Sequence, residues 1–174
     1  MKNILAISGS LRAGSSNHSI LRYLRTIIPA DFSYNIYDQM AFIPPFDPGN
    51  DHVSVANAVV DFRKLIKDAD GIIICTPEYA FGVPGQFKNA LDWTVSSGSF
   101  SGKPTALITA STGGQHAHEA LIKTLGAIDA QLIPNATLLI SYIRSKLDTD
   151  GEIIDLETKQ SLVTLLDAFL TAIK

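Results

Sequence analysis

A loop rich in glycine and serine follows the first apolar run of this chain and precedes its first amphipathic segment. Residues 9–17 read Gly-Ser-Leu-Arg-Ala-Gly-Ser-Ser-Asn. In such a loop, backbone N–H groups and the positive end of the helix dipole point at an anion, and glycine lets the backbone come close. Gly9 and Gly14 are spaced as in nucleotide-triphosphate loops, but Ser15 stands where those loops have lysine. With Arg12 as its cation, the loop predicts a phosphomonoester site, the alternative being an ordinary turn with a helix cap.

Short apolar runs alternate with amphipathic segments along the rest of the chain. We predict strands at 3–8, 33–37, 71–75, 104–110 and 136–141, and helices at 17–28, 53–68, 85–95, 114–128 and around Leu162–Ile173. The proline- and glycine-rich residues 39–51 predict a loop without regular structure. This alternation predicts a single α/β domain over residues 1–174, with a five-stranded parallel sheet covered by helices on both faces.

The strand order decides where a ligand binds in such a sheet. If the order is 2-1-3-4-5, the switch point lies between the first and third strands, and ligands bind outside the carboxyl ends of the strands there. Residues 9–17, 76–85 and 110–116 then share one site. We therefore expect these three loops to surround a common ligand.

The second of these loops combines rigid backbone with flat apolar side chains. Two prolines and two glycines restrict residues 76–85, and Tyr79 and Phe81 offer surfaces for a planar aromatic ring. Ordinary packing under the loop is the alternative for both side chains. Glu78 is expected only to cap amides of its own loop, and we assign it no acid–base role. Trp93 is expected in the core or at a subunit interface.

Composition excludes several classes of partner. The net charge of −3 provides no basic field for nucleic acid or an anionic membrane, and no apolar run is long enough to span a bilayer. The single cysteine, Cys75, ends a buried apolar run, so we expect an inert thiol and a cytoplasmic location, with no signal peptide.

Two other patterns in the sequence suggest different kinds of site. His116 and His118 could form a metal pair, but no cysteine or acidic cluster completes it, so no metal site is predicted. Residues 109–113 are only faintly similar to the nucleophile elbow of serine hydrolases, whose first glycine is missing. No catalytic side chain is assigned.

Two long motifs stand at the ends of the first and third predicted strands. The first is Gly-Ser-Leu-Arg with the following Ser16 and Asn17, and the second runs from Pro77-Glu78-Tyr79 to Trp93. Together they resemble the NADPH-dependent FMN reductase family, which includes bacterial quinone, chromate and azo-dye reductases. The resemblance covers nearly the whole chain. It implies a flavodoxin-like three-layer sandwich, bound FMN, and a homodimer or homotetramer.

The resemblance also implies which residues bind the cofactor. The FMN phosphate would be held by Ser10, Arg12, Ser15, Ser16 and Asn17. The isoalloxazine would be held by Pro77, Glu78, Tyr79 and the backbone of Ala80 and Phe81, and Ser111, Gly113 and Gly114 would line its other edge.

The chain departs from the family pattern at two places. Ala80 stands where members usually have asparagine, so a side-chain amide is missing beside the flavin. The third loop, often richer in glycine, continues here as Gln115-His116-Ala117-His118, which could bring His116 near the pyrimidine edge of the ring.

The resemblance implies transfer of two electrons from NADPH or NADH, through FMN, to a small acceptor such as a quinone, an azo compound, a metal oxyanion or free flavin. A flavodoxin-type electron carrier is the main alternative, although such carriers are usually strongly acidic. A flavin-free binding protein on the same fold is a further alternative. The sequence shows no arginine pair that would select NADPH over NADH.

Overall fold

The computed structural model describes residues 1–173 and contains five strands and five α-helices. In chain order they are β1 Lys2–Ser8, α1 Ser16–Ile27, β2 Phe32–Tyr37, α2 Asn57–Asp68, β3 Gly71–Thr76, α3 Gly85–Asp92, β4 Pro104–Ala110, α4 Gln115–Ala127, β5 Gln131–Ile140 and α5 Leu156–Ile173. Two short 3-10 helices span Met40–Phe42 and Ile143–Lys146. None of the helices in this part of the chain combines the length and apolar character that a membrane crossing requires.

The strands form one all-parallel sheet in the order β2-β1-β3-β4-β5. This confirms the predicted architecture and strand order. Successive β3 side chains pack on opposite faces of the sheet, because side chains alternate along a strand. Ile73 and Cys75 pack with α1 and α5, whereas Ile72 and Ile74 pack with α2, α3 and α4. Both faces are therefore covered, which explains why β3 is apolar throughout.

Several predicted boundaries were wrong. Helix α2 begins at Asn57 rather than 53, because Val55 packs against the core from extended chain instead of from a helical face. Helix α3 ends at Asp92, three residues before the predicted end. The Met40–Phe42 turn of 3-10 helix lies in a segment predicted to be irregular.

Strand β5 was predicted to begin at residue 136 and begins at Gln131. Pro134 lies within β5 and lacks an N–H to donate, which is tolerated because β5 is an edge strand. Asn135 has a positive φ of 64°, and the pairing with β4 shifts register beside it, between Thr105 and Leu107. The pairing of β5 with β4 is therefore irregular next to Pro134, and the strand continues on both sides of it.

The segment between β2 and α2, residues 38–56, is hydrogen-bonded to α3. Asn89 accepts the N–H of Phe46 at 2.7 Å and donates to the carbonyl of Pro44 at 2.9 Å. The Trp93 indole donates to the same carbonyl at 2.8 Å, and the ring is buried, as predicted for a core residue. On the same helix, Lys88 pairs with Asp92.

Candidate functional site

The three predicted loops follow β1, β3 and β4, which are neighbours in the sheet. Gly9 donates its N–H to the carbonyl of Cys75 at 2.9 Å, so the first loop lies directly against the end of β3. A Cβ at Gly9 would lie 2.2 Å from the hydroxyl oxygen of Thr76. Glycine is required there because a side chain would push the two loops apart.

The first loop presents unpaired backbone donors at the start of α1. Ser15 caps the helix, and its hydroxyl accepts the N–H of His18 at 3.3 Å. Within residues 1–173, the N–H groups of Ser16 and Asn17 have no partner. Gly14 has a positive φ of 66°, which turns the loop back toward the helix. The helix start therefore has two free donors of the kind that an anion accepts, and anion binding by this loop stays a prediction.

The remaining phosphate-loop residues fall into two groups. Arg12 is exposed, whereas Ser10 and Ser15 are buried and Ser16 is half-buried. The hydroxyl of Ser10 accepts the N–H of Arg12 at 3.3 Å, which holds the turn of the loop. Asn17 is buried, and its amide faces the sheet rather than the loop.

The side chain of Asn17 joins the ends of two strands. It accepts a hydrogen bond from the thiol of Cys75, with 3.2 Å between Sγ and Oδ1, and donates to the carbonyl of Ala110 at 3.4 Å. Burial raises the pKa of the Cys75 thiol. Asn17 therefore holds the first loop against β3 and β4 through its side chain, and its backbone N–H is left unpaired at the helix start.

His18 is a residue of this loop that the sequence analysis missed. Its Nδ1 lies 2.9 Å from the hydroxyl of Ser15 and 3.4 Å from that of Ser8. Burial, and then the charge of Arg22, lowers the pKa of His18. Its position three residues after the helix cap is the signal that could have found it.

The second loop makes a tight two-residue turn at its tip. Tyr79 and Gly82 exchange both backbone hydrogen bonds, at 3.0 and 2.9 Å. Ala80 and Phe81 occupy the turn with positive φ values of 48° and 58°. This is the geometry of a type I′ turn, which favours asparagine at its first central position. The family's usual asparagine thus suits the backbone at the position of Ala80.

The aromatic side chains of this turn are exposed. Tyr79 is 55% exposed and Phe81 is 77% exposed, so packing beneath the loop does not account for them. The Phe81 ring meets His116 edge to face, with 5.1 Å between ring centroids. The N–H groups of Ala80 and Phe81 have no partner in the described residues.

Glu78 binds the amides of the neighbouring helix and not those of its own loop. Its carboxylate accepts the N–H of Gly114 at 3.2 Å and that of Ala117 at 2.9 Å, at the N-terminus of α4. Burial opposes ionisation, but these two hydrogen bonds and the charge of His116 hold the pKa of Glu78 below its usual range. The expected capping role is right, but its target was wrong.

The third loop is tied to the second through Glu78. The Ser111 hydroxyl donates to the Glu78 carbonyl at 3.4 Å, and the Gly114 N–H is already used by the carboxylate. The N–H groups of Thr112 and Gly113 have no partner in residues 1–173. Thr112 was not among the predicted residues. The loop therefore presents two backbone donors beside the aromatic turn.

The two histidines of α4 lie in different surroundings. The ring of His116 packs on Phe81, whereas Nδ1 of His118 lies 2.9 Å from the buried hydroxyl of Thr109. Burial lowers the pKa of His118. Within residues 1–173, no three histidine, cysteine, aspartate or glutamate side chains are grouped so that they could hold a metal ion.

These features define a class of protein, the flavodoxin-like α/β proteins. The first loop has the features of a phosphate-binding loop, and an exposed aromatic turn and unpaired backbone N–H groups lie at the same edge of the sheet. The model of the NADPH-dependent FMN reductase family matches residues 2–145, so the chain belongs to that family. It is accordingly an FMN-dependent NAD(P)H oxidoreductase.

Curated relatives of similar length support this assignment. The chain is 33% identical over 174 residues to a 2-hydroxy-1,4-benzoquinone reductase from Burkholderia sp, covering 95% of this chain and 93% of the relative. It is 34% identical over 173 residues to a quinone reductase from Escherichia coli (strain K12), covering 95% and 92%. An NAD(P)H-dependent FMN reductase from Pseudomonas aeruginosa is 32% identical over 170 residues, covering 95% and 91%.

A solved structure shares the fold. The flavoenzyme NAD(P)H:(acceptor) oxidoreductase FerB from Paracoccus denitrificans superposes with a TM-score of 0.77 at 23% identity, covering 99% of this chain and 97% of that one. At this identity the likeness shows the fold alone.

The residues present fit FMN in three respects. The open start of α1 offers two N–H groups and Arg12 to a phosphate. The exposed ring of Tyr79 lies at the same edge of the sheet and offers a flat apolar surface. The free N–H groups of the second and third loops can donate to the polar edge of a flavin.

Proposed function

We propose that the physiological acceptor of this FMN-dependent NAD(P)H oxidoreductase is a small quinone. The relatives at 33% and 34% identity over nearly the whole chain are named for quinone reduction. The observation that carries the proposal is the exposed aromatic turn beside unpaired N–H groups, because a planar acceptor requires an open apolar face.

The proposed phosphate site consists of five residues of the first loop. Arg12 forms the ion pair, and the N–H groups of Ser16 and Asn17 donate at the helix start. Ser10 and Ser15 hold the loop in shape through the hydrogen bonds described above. Asn17 acts through its backbone, because its side chain is used between the strands.

The proposed ring site consists of the second and third loops. The residues assigned to it are Pro77, Glu78, Tyr79, Ala80, Phe81, Ser111, Gly113 and Gly114. Glu78 positions the two loops against each other, and the N–H groups of Ala80, Phe81 and Gly113 donate to the ring edge. Gly114 belongs to the site as the hydrogen-bond partner of Glu78.

When bound, FMN would supply the redox chemistry, which is the transfer of two electrons from NAD(P)H to the acceptor. The protein binds the phosphate, orients the ring and leaves one face open. The unpaired N–H groups of the second and third loops would stabilise negative charge on the edge of a reduced flavin. No side chain has to donate or remove a proton, so none is proposed as catalytic.

The first experiment records the visible spectrum of the purified protein with FMN and then with NADPH under argon. We expect a bound flavin band that NADPH bleaches and that 1,4-benzoquinone restores. Rates with a quinone, an azo dye, chromate and free FMN then rank the acceptors. Faster turnover with one of the other acceptors would contradict the quinone proposal. Bound FMN that NADPH cannot bleach would contradict turnover itself.

A second experiment tests the phosphate site. Arg12→Gln should weaken FMN binding by about tenfold or more, since a charge-assisted hydrogen bond contributes about 1.5–3 kcal/mol. Riboflavin lacks the phosphate, so its affinity should not change. Equal loss for both ligands would place Arg12 outside a phosphate site.

We also propose that the protein is a cytoplasmic homodimer or homotetramer. We propose residues 39–52 and 85–95 as the interface, and each segment exposes a large apolar side chain: Phe42 is 69% exposed, and Val95, just beyond α3, is 60% exposed. The buried free cysteine is compatible with a reducing compartment. Light scattering coupled to size-exclusion chromatography tests the assembly, and a monomeric mass would contradict it. Fluorescence microscopy of a tagged chain tests the location.

A further inference from the structure

A cavity opens beside the phosphate loop, on the side of α1 that faces the chain between β5 and α5. Its volume is about 290 Å³. One wall is a face of α1, with Ser16, Ser19 and Arg22 three residues apart, and the other is residues 144–151. Arg12 and Gly14 of the phosphate loop close one end, so the cavity adjoins the proposed FMN phosphate site.

Three of the five arginines of the chain line this cavity. They are Arg12, Arg22 and Arg144, and they come from the loop, from α1 and from a 3-10 helix. None of the three forms a salt bridge within residues 1–173. By contrast, Arg63 pairs with Asp51, and Arg25 stacks on the ring of Tyr34. Of the four arginines that lack an anionic partner within residues 1–173, three therefore line this cavity.

The walls are held together by specific contacts. Arg22 donates to the hydroxyl of Ser19 at 3.0 Å, which fixes its side chain along α1. A Cβ at Gly151 would lie 2.9 Å from that hydroxyl oxygen, so a glycine lets the opposite wall approach the helix. Gly151 has a positive φ of 82°, which fits this residue type.

Two carboxylates also line the cavity. Asp148 accepts the N–H groups of Asp150 and Glu152 at 3.0 and 2.8 Å, so it is used within its own turn. Asp150 has no such partner among the described residues, and its charge opposes an anion in the cavity. The cavity therefore has three guanidinium groups and two carboxylates, and one carboxylate already accepts hydrogen bonds from its own turn.

A single FMN phosphate does not account for this arrangement. The start of α1 and Arg12 already supply amides and one cation to that phosphate. Arg22 and Arg144 lie beyond the loop and supply two further cations. We propose that Arg22 and Arg144, with Arg12 at their side, form a subsite for a second phosphate group that FMN does not carry.

The two sources of such a group are the 2′-phosphate of NADPH and a free tetrahedral oxyanion. If the 2′-phosphate of NADPH binds here, these arginines determine the choice between NADPH and NADH, and this interpretation rests on the proposed function. If a free oxyanion binds here, the cavity is a separate anion site. Arginine suits both, because its planar fork forms paired hydrogen bonds to phosphate oxygens.

The test measures binding to the FMN-loaded protein by calorimetry, with adenosine 2′,5′-bisphosphate, 5′-AMP and inorganic phosphate as probes. We expect the bisphosphate to bind at least about tenfold more tightly than 5′-AMP, and Arg144→Gln or Arg22→Gln to abolish that difference. Arg25→Gln, on the same helix but outside the cavity, is the matched control. Asp150→Asn should act in the opposite direction and tighten binding of the bisphosphate.

The outcomes separate this proposal from the proposed function. Discrimination between NADPH and NADH that is lost in the Arg144 and Arg22 variants identifies the 2′-phosphate, whereas equal binding of inorganic phosphate and the bisphosphate identifies a free oxyanion. Loss of FMN affinity in these variants overturns the proposal, since the arginines would then belong to the FMN site. Equal binding of bisphosphate and 5′-AMP, without phosphate binding, also overturns it. Bleaching by NADH remains the separate readout of the reductase function.

Discussion

The carboxylate of Glu78 accepts the backbone N–H of Ala117 at 2.9 Å, joining the loop after β3 to the first turn of α4. Its other oxygen accepts the N–H of Gly114. One side chain thus satisfies two N–H groups at a helix start, where the helix dipole favours negative charge. The same contact sets the separation of the two loops that form the proposed ring site.

Replacing Glu78 with glutamine should lower the free energy of unfolding by about 1–2 kcal/mol, because one of the two amides loses its acceptor and the charge is removed. FMN affinity should fall together with stability, since the loops lose their connection. Chemical denaturation and FMN titration of both proteins measure the two effects. Unchanged FMN affinity in a destabilised variant would show that the loop spacing does not matter to binding.

The stability contributed by the Glu78 charge should depend on pH in a defined direction. Its pKa is lowered in the folded protein from an ordinary value of 4.5. The contribution is therefore fully present above that value and is lost as the pH falls through the lower folded-state pKa. Asp51, Asp70 and Asp155 also have lowered pKa values, so the quantity to follow is the difference between wild type and Glu78→Gln. That difference should be constant near pH 7 and shrink below about pH 4.5.

Replacing Ala80 with asparagine should stabilise the protein by about 1 kcal/mol. Ala80 has a φ of 48°, and the left-handed region costs a residue with a Cβ about 1–2 kcal/mol, less for asparagine. Ala80→Gly should act in the same direction. As a control, Ala168→Gly in the middle of α5 should destabilise by about 1 kcal/mol. Destabilisation by both Ala80 changes would contradict the turn geometry.

Replacing Asn89 with alanine should lower the free energy of unfolding by about 1–3 kcal/mol. The change leaves the N–H of Phe46 and the carbonyl of Pro44 without the amide that binds them. Lys88→Ala, one residue earlier, removes only a surface pair with Asp92 and should change stability by less than about 1 kcal/mol. Faster proteolysis within residues 39–56 of the Asn89 variant alone would show that this contact holds the segment.

The thiol of Cys75 should resist modification in the folded protein. It is buried, its pKa is raised by burial, and it donates to Asn17. A disulfide reagent should therefore react with it only after unfolding in guanidinium, at one thiol per chain. Rapid reaction in native buffer would mean that the contact between the first loop and β3 opens readily.

Local sequence patterns were sufficient for the elements and their order. The apolar run of β3, the periodicity of α1 and the glycine-rich loop each report on contacts within a few residues, and parallel βα alternation restricts the topology to few arrangements. These patterns did not predict where β5 begins, because that depends on the position of the strand in the sheet. β5 is an edge strand, so it can contain Pro134. The extent of the single domain, residues 1–174, and the cofactor-binding residues stay predictions.

By itself, the sequence determined which residue types stand at the ends of which strands, and with them the phosphate loop and the family. Only the tertiary structure decided which of these residues contact each other. Glu78 binds α4 rather than its own loop, and Arg22 meets Arg144 across one cavity although their segments are far apart in the chain. The physical reason is that hydrogen bonds and charges act over a few ångströms in space, and the packing of helices on the sheet sets those distances.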